Sequence, residues 1–185
     1  MDTGVLIVIA IAVVLVVLLA VFLAQRRRSQ GLQQRFGAEY QRTVARSGNQ
    51  RSAESELASR EQRRRDLEIV ALEPGAQARY REAWRRTQGL FVDDPTTATR
   101  EADDLVARVM RDRGYPVDDF EQQAADVSVD HPDVAEDYRA AHAISRLNEQ
   151  GMASTDDLRQ AFVHYRSLFA QLLDADGDAN KEAQR

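Results

Sequence analysis

There is no cysteine among the 185 residues. Its absence removes disulfide bridges, thiolate metal sites and cysteine nucleophiles together. Glycine is sparse and scattered, standing singly at 4, 31, 37, 48, 75, 89, 114, 151 and 177. No glycine-rich phosphate loop can be assembled from such positions. Proline occurs four times, and 30% of the residues are charged. Few breakers and many charges favour an all-helical chain over a sheet. Lysine is nearly missing: Lys181 stands alone among otherwise arginine cations, which reads as codon bias of a GC-rich genome. The sequence has no G-x-S-x-G elbow and no H-E-x-x-H zinc pair.

The three histidines are His131, His142 and His164. A di-iron bundle needs Glu three residues before a histidine, and here those positions hold Ser128, Arg139 and Ala161. His142 follows Tyr138 by one helical turn and reads as a half-buried structural residue. Asp174-Ala-Asp-Gly-Asp178 begins like a calcium loop. Counting from Asp174, however, glycine falls at position four and Arg185 at twelve, where the loop needs glycine at six and glutamate at twelve. A solvated acidic tail is the expectation there. No catalytic, cofactor or metal residue is assigned.

What the chain does have is one long apolar run, Gly4–Ala24, with no polar side chain inside it. At 1.5 Å per residue such a helix reaches roughly 30 Å, the thickness of a bilayer's hydrocarbon core. The run predicts a transmembrane helix over 4–24. Residues 1–3 precede it and Gln25-Arg-Arg-Arg28 follow. Positive charge stays on the cytoplasmic side, so 1–3 are expected outside and 25–185 inside. A cleaved signal peptide, which would make a secreted helical protein, fits less well. Its basic segment should come first, its core should be shorter, and small residues should precede the cut. Ala20 and Ala24 offer a single small-xxx-small pair, weak grounds for a helix dimer.

Charge is divided along the chain. From Gln25 to Asp66 eleven arginines face five acids, a net of +6, whereas from Glu101 to Arg185 nine bases face nineteen acids, a net of −10. Anionic head groups attract nearby basic residues by about 1 kcal/mol each. Arg26, Arg27, Arg28 and Arg35 are the candidate lipid head-group contacts, with the acidic part held away from the bilayer. Arg60-Glu-Gln-Arg-Arg-Arg65 carries no interleaved aromatic side chain, which argues against nucleic acid. A solvated helix face with some lipid attraction is expected there.

Periodicity divides the rest into helices. Leu32, Phe36, Tyr40 and Val44 recur every four residues, predicting that helix continues over 25–47. A polar helix over 52–69 follows, with Arg60 and Arg64 breaking any coiled-coil pattern. Together these make a basic juxtamembrane helical stalk over 25–72. Pro74, Pro95 and Pro132 each open a helix, since proline in the first turn sacrifices no hydrogen bond. The predicted helices are 74–92, 95–113, a short one to 127, 132–150, and one from 154. Val134, Tyr138, Ala141 and Leu147 mark one buried face, and Leu158, Ala161, Phe162, Tyr165, Leu168, Phe169 and Leu172 another. Asp118-Asp-Phe-Glu121 and Ser154-Thr-Asp-Asp157 read as capping patterns. The expectation is an antiparallel helical bundle over 73–173 and a disordered acidic tail over 174–185.

The least regular stretches are Arg113–Phe120 and Val129–Pro132. Connectors carry function more often than the elements they join. Tyr115, Asp118, Asp119, Phe120, Asp130 and His131 are therefore the candidate partner surface, although caps and packing account for most of them.

Several stretches carry a resemblance: Arg35-Phe-Gly-Ala-Glu-Tyr40, Thr43-Val44, Phe91-Val-Asp-Asp-Pro95, Val109-Met-Arg-Asp-Arg-Gly-Tyr-Pro116, Ala124–His131, Tyr138–His142 and His164-Tyr-Arg166. Through them the chain resembles uncharacterised single-pass membrane proteins of high-GC Gram-positive bacteria. The resemblance implies an anchor followed by a helical domain. It implies no activity and no catalytic residue.

The functional expectation is a non-enzymatic, membrane-anchored cytoplasmic interaction or scaffold module. Its partners would be anionic lipid and a protein, which a second copy of the chain would satisfy. The rival from another class is a ligand-binding or enzymatic bundle, which would need a pocket joining His142 or His131 to perturbed carboxylates.

Overall fold

The computed structural model describes residues 3–182, with burial and side-chain contacts for 12–20 and 22–173. Part of the expected span (4–11 and 21), residues 1 and 2, and the side chains of the tail from 174 lie outside that description. Among the described residues all regular structure is helical: α1 Thr3–Ser47, α2 Gln50–Asp66, α3 Pro74–Asp93, α4 Pro95–Asp112, α5 Phe120–Asp130, α6 Pro132–Glu149 and α7 Thr155–Glu182. Also among them, no helix is long and apolar enough to cross a membrane. The prolines at 74, 95 and 132 each stand in the first turn of a helix. α7 runs to Glu182, into the segment expected to be a tail.

The chain divides into two units, Met1–Leu57 and Ala58–Arg185. In the first, α1 bends sharply at Gly37, whose φ of 49° and ψ of −120° are not helical. The positive φ is open to glycine and strained for a side chain. Helix continues to Ser47 as expected, with the bend at Gly37 interrupting it. Beyond the bend the chain turns at Gly48-Asn49 into α2, and Asn49 Oδ1 accepts from Ser52 N at 2.8 Å. The bend allows residues on both sides of it to reach Glu54 and its neighbours. Tyr40 Oη donates to Glu54 Oε1 at 2.9 Å, and Gln50 Nε2 donates to Ser29 Oγ at 3.0 Å and to Glu54 Oε1 at 2.7 Å. Arg46 pairs with Glu56. Leu32, Phe36, Tyr40, Ala53 and Leu57 are buried.

The second unit is a helical bundle. α4 packs against α3, α6 and α7, α6 packs along α7, and α5 lies on α6. Its core joins Trp84, Leu105, Val109, Met110, Tyr138, Phe162, Tyr165, Leu168, Phe169 and Leu172 with their smaller neighbours. Trp84 is stacked with both Phe162 and Phe169, with ring centroids 5.1 and 4.8 Å away. Each such pair adds about 0.5–1.5 kcal/mol beyond the burial itself. All seven positions expected on the buried face of α7 are buried. Leu147 is not: it is exposed near the end of α6, where Asn148 is buried instead and donates to Thr96 O at 3.0 Å. Helix seven is capped reciprocally as expected. Asp157 N donates to Ser154 Oγ at 3.2 Å and Ser154 N to Asp157 Oδ2 at 2.9 Å. The α5 cap lies one residue later than expected, on Asp119, whose Oδ1 accepts from Gln122 N at 2.7 Å.

The segment between α2 and α3 is pinned at Gly114. Val70 N donates to Arg113 O at 2.9 Å. Gly114 has φ of 92°, and a Cβ there would sit 2.4 Å from the carbonyl oxygen of Glu68. Two costs combine in Gly114→Ala, the left-handed backbone and the collision with a main-chain atom. The variant is expected to be destabilised by roughly 2 kcal/mol or more. Chemical denaturation followed at Trp84 measures this, and a change within the noise of wild type would show that the segment is not held as described.

Candidate functional site

The candidate partner surface comes apart when built residue by residue. Tyr115 is only 3% exposed. Its hydroxyl donates to Asp130 Oδ2 at 2.7 Å, the same oxygen that pairs with Arg64 Nε. The Arg64 guanidinium lies 5.9 Å from the Tyr115 ring centroid. Burial first, then the charge and hydrogen bond of Asp130, push the Tyr115 hydroxyl well above its ordinary value. Tyr115, Asp130 and Arg64 thus form a triad centred on the Asp130 carboxylate. Asp119 is spent on the α5 cap. Phe120 stacks on His142 at 3.6 Å and tilts against Tyr138 at 4.9 Å. His131 Nδ1 lies 3.1 Å from Gln171 Oε1. Asp118 is exposed. The six residues do not form one open face; most hold the connector to the bundle.

The triad extends into a row. Arg60, expected on a solvated face, is 2% exposed, and its Nη1 donates to Ser128 Oγ at 3.2 Å. Arg63 Nε lies 4.0 Å from Asp126 Oδ1. Asp126 also accepts from Gln122 Nε2 at 2.8 Å. Burial pushes the Asp126 carboxyl up, opposed by Gln122 and the arginines. This part of α2 is therefore docked on α5, which corrects the solvated-stalk reading of 60–65. The signal was present as matching four-residue spacings, Arg60 with Arg64 and Asp126 with Asp130. Nothing in either stretch alone says that the other is its partner.

A second polar cluster lies inside the bundle. Asp103 Oδ2 accepts from Ser145 Oγ at 3.4 Å and stands 3.9 Å from His142 Nδ1. Tyr165 is fully buried with its hydroxyl beside Asp103 and Ser145, and neither that hydroxyl nor His142 Nδ1 makes a hydrogen bond of ordinary geometry. Burial first, then the nearby Asp103 charge, push the Tyr165 hydroxyl far above its usual value. Burial raises Asp103 and lowers His142, each opposed by the other's charge. Tyr138 Oη donates to Gln123 Oε1 at 2.7 Å. Among the described residues no group of three metal-ligating side chains converges.

A cleft of about 830 Å³ opens elsewhere, within the first unit. Its lining includes Arg26, Arg28, Ser29, Gln33, Gln50, Arg51 and Glu54, with Phe22 at one edge. Of the four arginines expected at lipid head groups, Arg26 and Arg28 line it; Arg27 and Arg35 are exposed outside it. Sequence reasoning missed Arg51 and the glutamines, because only the bend at Gly37 and the turn into α2 bring residues 22–33 and 50–55 together.

No protein-family model, curated protein or solved structure matches the chain.

His131 gives the site a pH dependence. Burial lowers its pKa, with Arg113 and Arg64 adding to the shift, and Asp130 and Gln171 oppose it. A histidine lowered on folding binds its proton more tightly when unfolded. Its contribution is therefore complete above the unfolded value and is lost as pH falls through it. The purified chain is expected to have a lower thermal midpoint at about pH 5.5 than at about pH 7.5. His131→Gln is expected to shrink that difference. An unchanged difference in the variant would show that His131 does not carry it.

Proposed function

We propose that this chain is a membrane-anchored helical interaction module, with a spanning helix over 4–24, a juxtamembrane stalk that runs from 25 to the docked end of α2, and an antiparallel bundle over 73–173 on the cytoplasmic side. One observation carries the anchor. Val13 to Leu19 are all valine or leucine, and every one is between 54% and 65% exposed. Successive residues turn about 100° around a helix, so seven in a row point in every direction. A helix that is apolar all round is stable only inside an apolar medium. Its hydrogen bonds are internal, as lipid requires. The arginines at 26–28 supply the inward orientation, and Arg26, Arg27, Arg28 and Arg35, all exposed, are the head-group contacts of this reading.

The interaction role is supported by exposed apolar side chains of the bundle. Val92 is 83% and Met152 61% exposed, and Leu147 is exposed beside them in sequence to Met152. The Asn148–Thr96 hydrogen bond ties the end of α6 to the start of α4, two residues past Asp94. These side chains suit contact with a protein, a second copy of the chain included. The rival reading, a ligand-binding or enzymatic bundle, draws on the buried Tyr165 hydroxyl and His142 Nδ1 beside Asp103.

Alkaline carbonate washing of membranes tests the anchor. Wild type is expected to stay in the pellet. Val13→Asp with Val16→Asp places two charges in the span at roughly 2.5–3.5 kcal/mol each and is expected to move the chain to the supernatant. Wild type recovered in the supernatant would contradict the proposal.

A further inference from the structure

The cleft of the first unit is more selective than a basic collar. Its lining holds three arginines, Arg26, Arg28 and Arg51, and a single carboxylate, Glu54. That carboxylate does not neutralise them by direct pairing. It is held by neutral donors, Tyr40 Oη at 2.9 Å and Gln50 Nε2 at 2.7 Å. Burial pushes its pKa up, but the hydrogen bonds of Gln50, Ser29 and Tyr40 and the charge of Arg28 outweigh this and keep it ionised. The lining thus keeps a net charge of +2 in a concave space of about 830 Å³. Around the arginines stand amide and hydroxyl side chains: Gln25, Gln30, Gln33, Ser29 and Ser55. Such a set supplies charge-assisted and neutral donors to the several oxygens of one anion.

Phosphate fits this inventory better than carboxylate, because it offers more acceptor oxygens to several separate donors. Phe22, from the end of the apolar run, adds one apolar side chain to the lining. Gln25 to Gln33 follow that run directly. If the run spans lipid, these residues stand at the depth of the head groups. We propose that Arg26, Arg28 and Arg51 form a binding site for one phosphate group, supplied by an anionic phospholipid head group. The phosphate chemistry stands on the cleft itself, and the lipid source rests on the anchor proposed above.

The test uses the full chain, purified in a neutral detergent, and native mass spectrometry. The probes are dioleoyl phosphatidylglycerol, dioleoyl phosphatidylcholine and glycerol 3-phosphate. Wild type is expected to retain one phosphatidylglycerol and to prefer it to phosphatidylcholine about tenfold. Arg26→Gln with Arg51→Gln is expected to reduce that retention about tenfold, and Arg27→Gln with Arg35→Gln, outside the cleft, to leave it within about twofold. Equal losses in the two double variants would overturn the site in favour of diffuse attraction. Equal retention of the two lipids by wild type would overturn the anionic head group as the source without any variant, because phosphatidylcholine carries the same phosphodiester. Retention of phosphatidylglycerol against excess glycerol 3-phosphate assigns the phosphate to lipid. Displacement by glycerol 3-phosphate keeps the phosphate site and overturns the lipid source. Carbonate washing reports separately on the anchor, so loss of one proposal is distinguishable from loss of the other.

Discussion

Everything in the first unit follows from a helix that makes all its own backbone hydrogen bonds and yet offers water nothing but hydrocarbon. A helix of valine and leucine from 13 to 19, exposed on all sides, leaves its side chains unsatisfied in an aqueous setting. In lipid the same side chains contribute about 0.3–0.6 kcal/mol each to insertion. The arginines that follow at once have the opposite requirement, since each costs several times that amount at the bilayer centre. If the run spans lipid, the boundary between Ala24 and Gln25 sets a depth. Serine, glutamine and arginine side chains gather on its polar side, and the bend at Gly37 allows α2 to add Arg51 and Glu54 to them.

The second unit is held by different means. Its apolar centre is an aromatic stack, with Trp84 between Phe162 and Phe169 and Phe91 leaning on Phe162 at 4.8 Å. Around that centre lies an arginine layer. Arg60 and Arg64 reach α5, and Arg113 donates to the carbonyl of Leu172. Buried or half-buried arginines are costly unless their donors are matched, and here a serine, an aspartate and a backbone carbonyl each accept one of those donors. Removing one partner would strand a charge, so the layer fixes how the end of α2 and the connector lie on the bundle.

Most of the helices were legible in the residues, because three start at prolines and the apolar stripes repeat with a helical period. The α7 stripe is the clearest case: a run of seven apolar positions at helical spacing, all buried. The failures have physical causes. Gly37 carries no side-chain signal that separates an ordinary helix position from a bend with positive φ. Leu147 is apolar but off the register of Val134, Tyr138 and Ala141; the inward positions that continue it are Ser145 and Asn148, both buried, with Asn148 bonded to Thr96 of α4. The arginines of 60–65 read as solvated because charge is normally exposed, and only the fold supplies Asp126, Ser128 and Asp130 as partners. The connector residues Tyr115 and Asp130 looked available for a partner for the same reason, and they are consumed by each other and by Arg64. The cleft was half legible: Arg26 and Arg28 stand out in sequence, whereas Arg51 joins them only through the turn at Gly48-Asn49.

The central claim is that the apolar helix lies in a bilayer with the arginine end inward. Because the chain has no cysteine, a single introduced thiol reports on its own position. Met152→Cys places one on the exposed turn between α6 and α7, and Thr3→Cys places one ahead of the apolar run. A membrane-impermeant maleimide added to intact cells is predicted to label the variant at 3 and to label the variant at 152 only after the cells are opened. Labelling at 152 in intact cells would contradict the account.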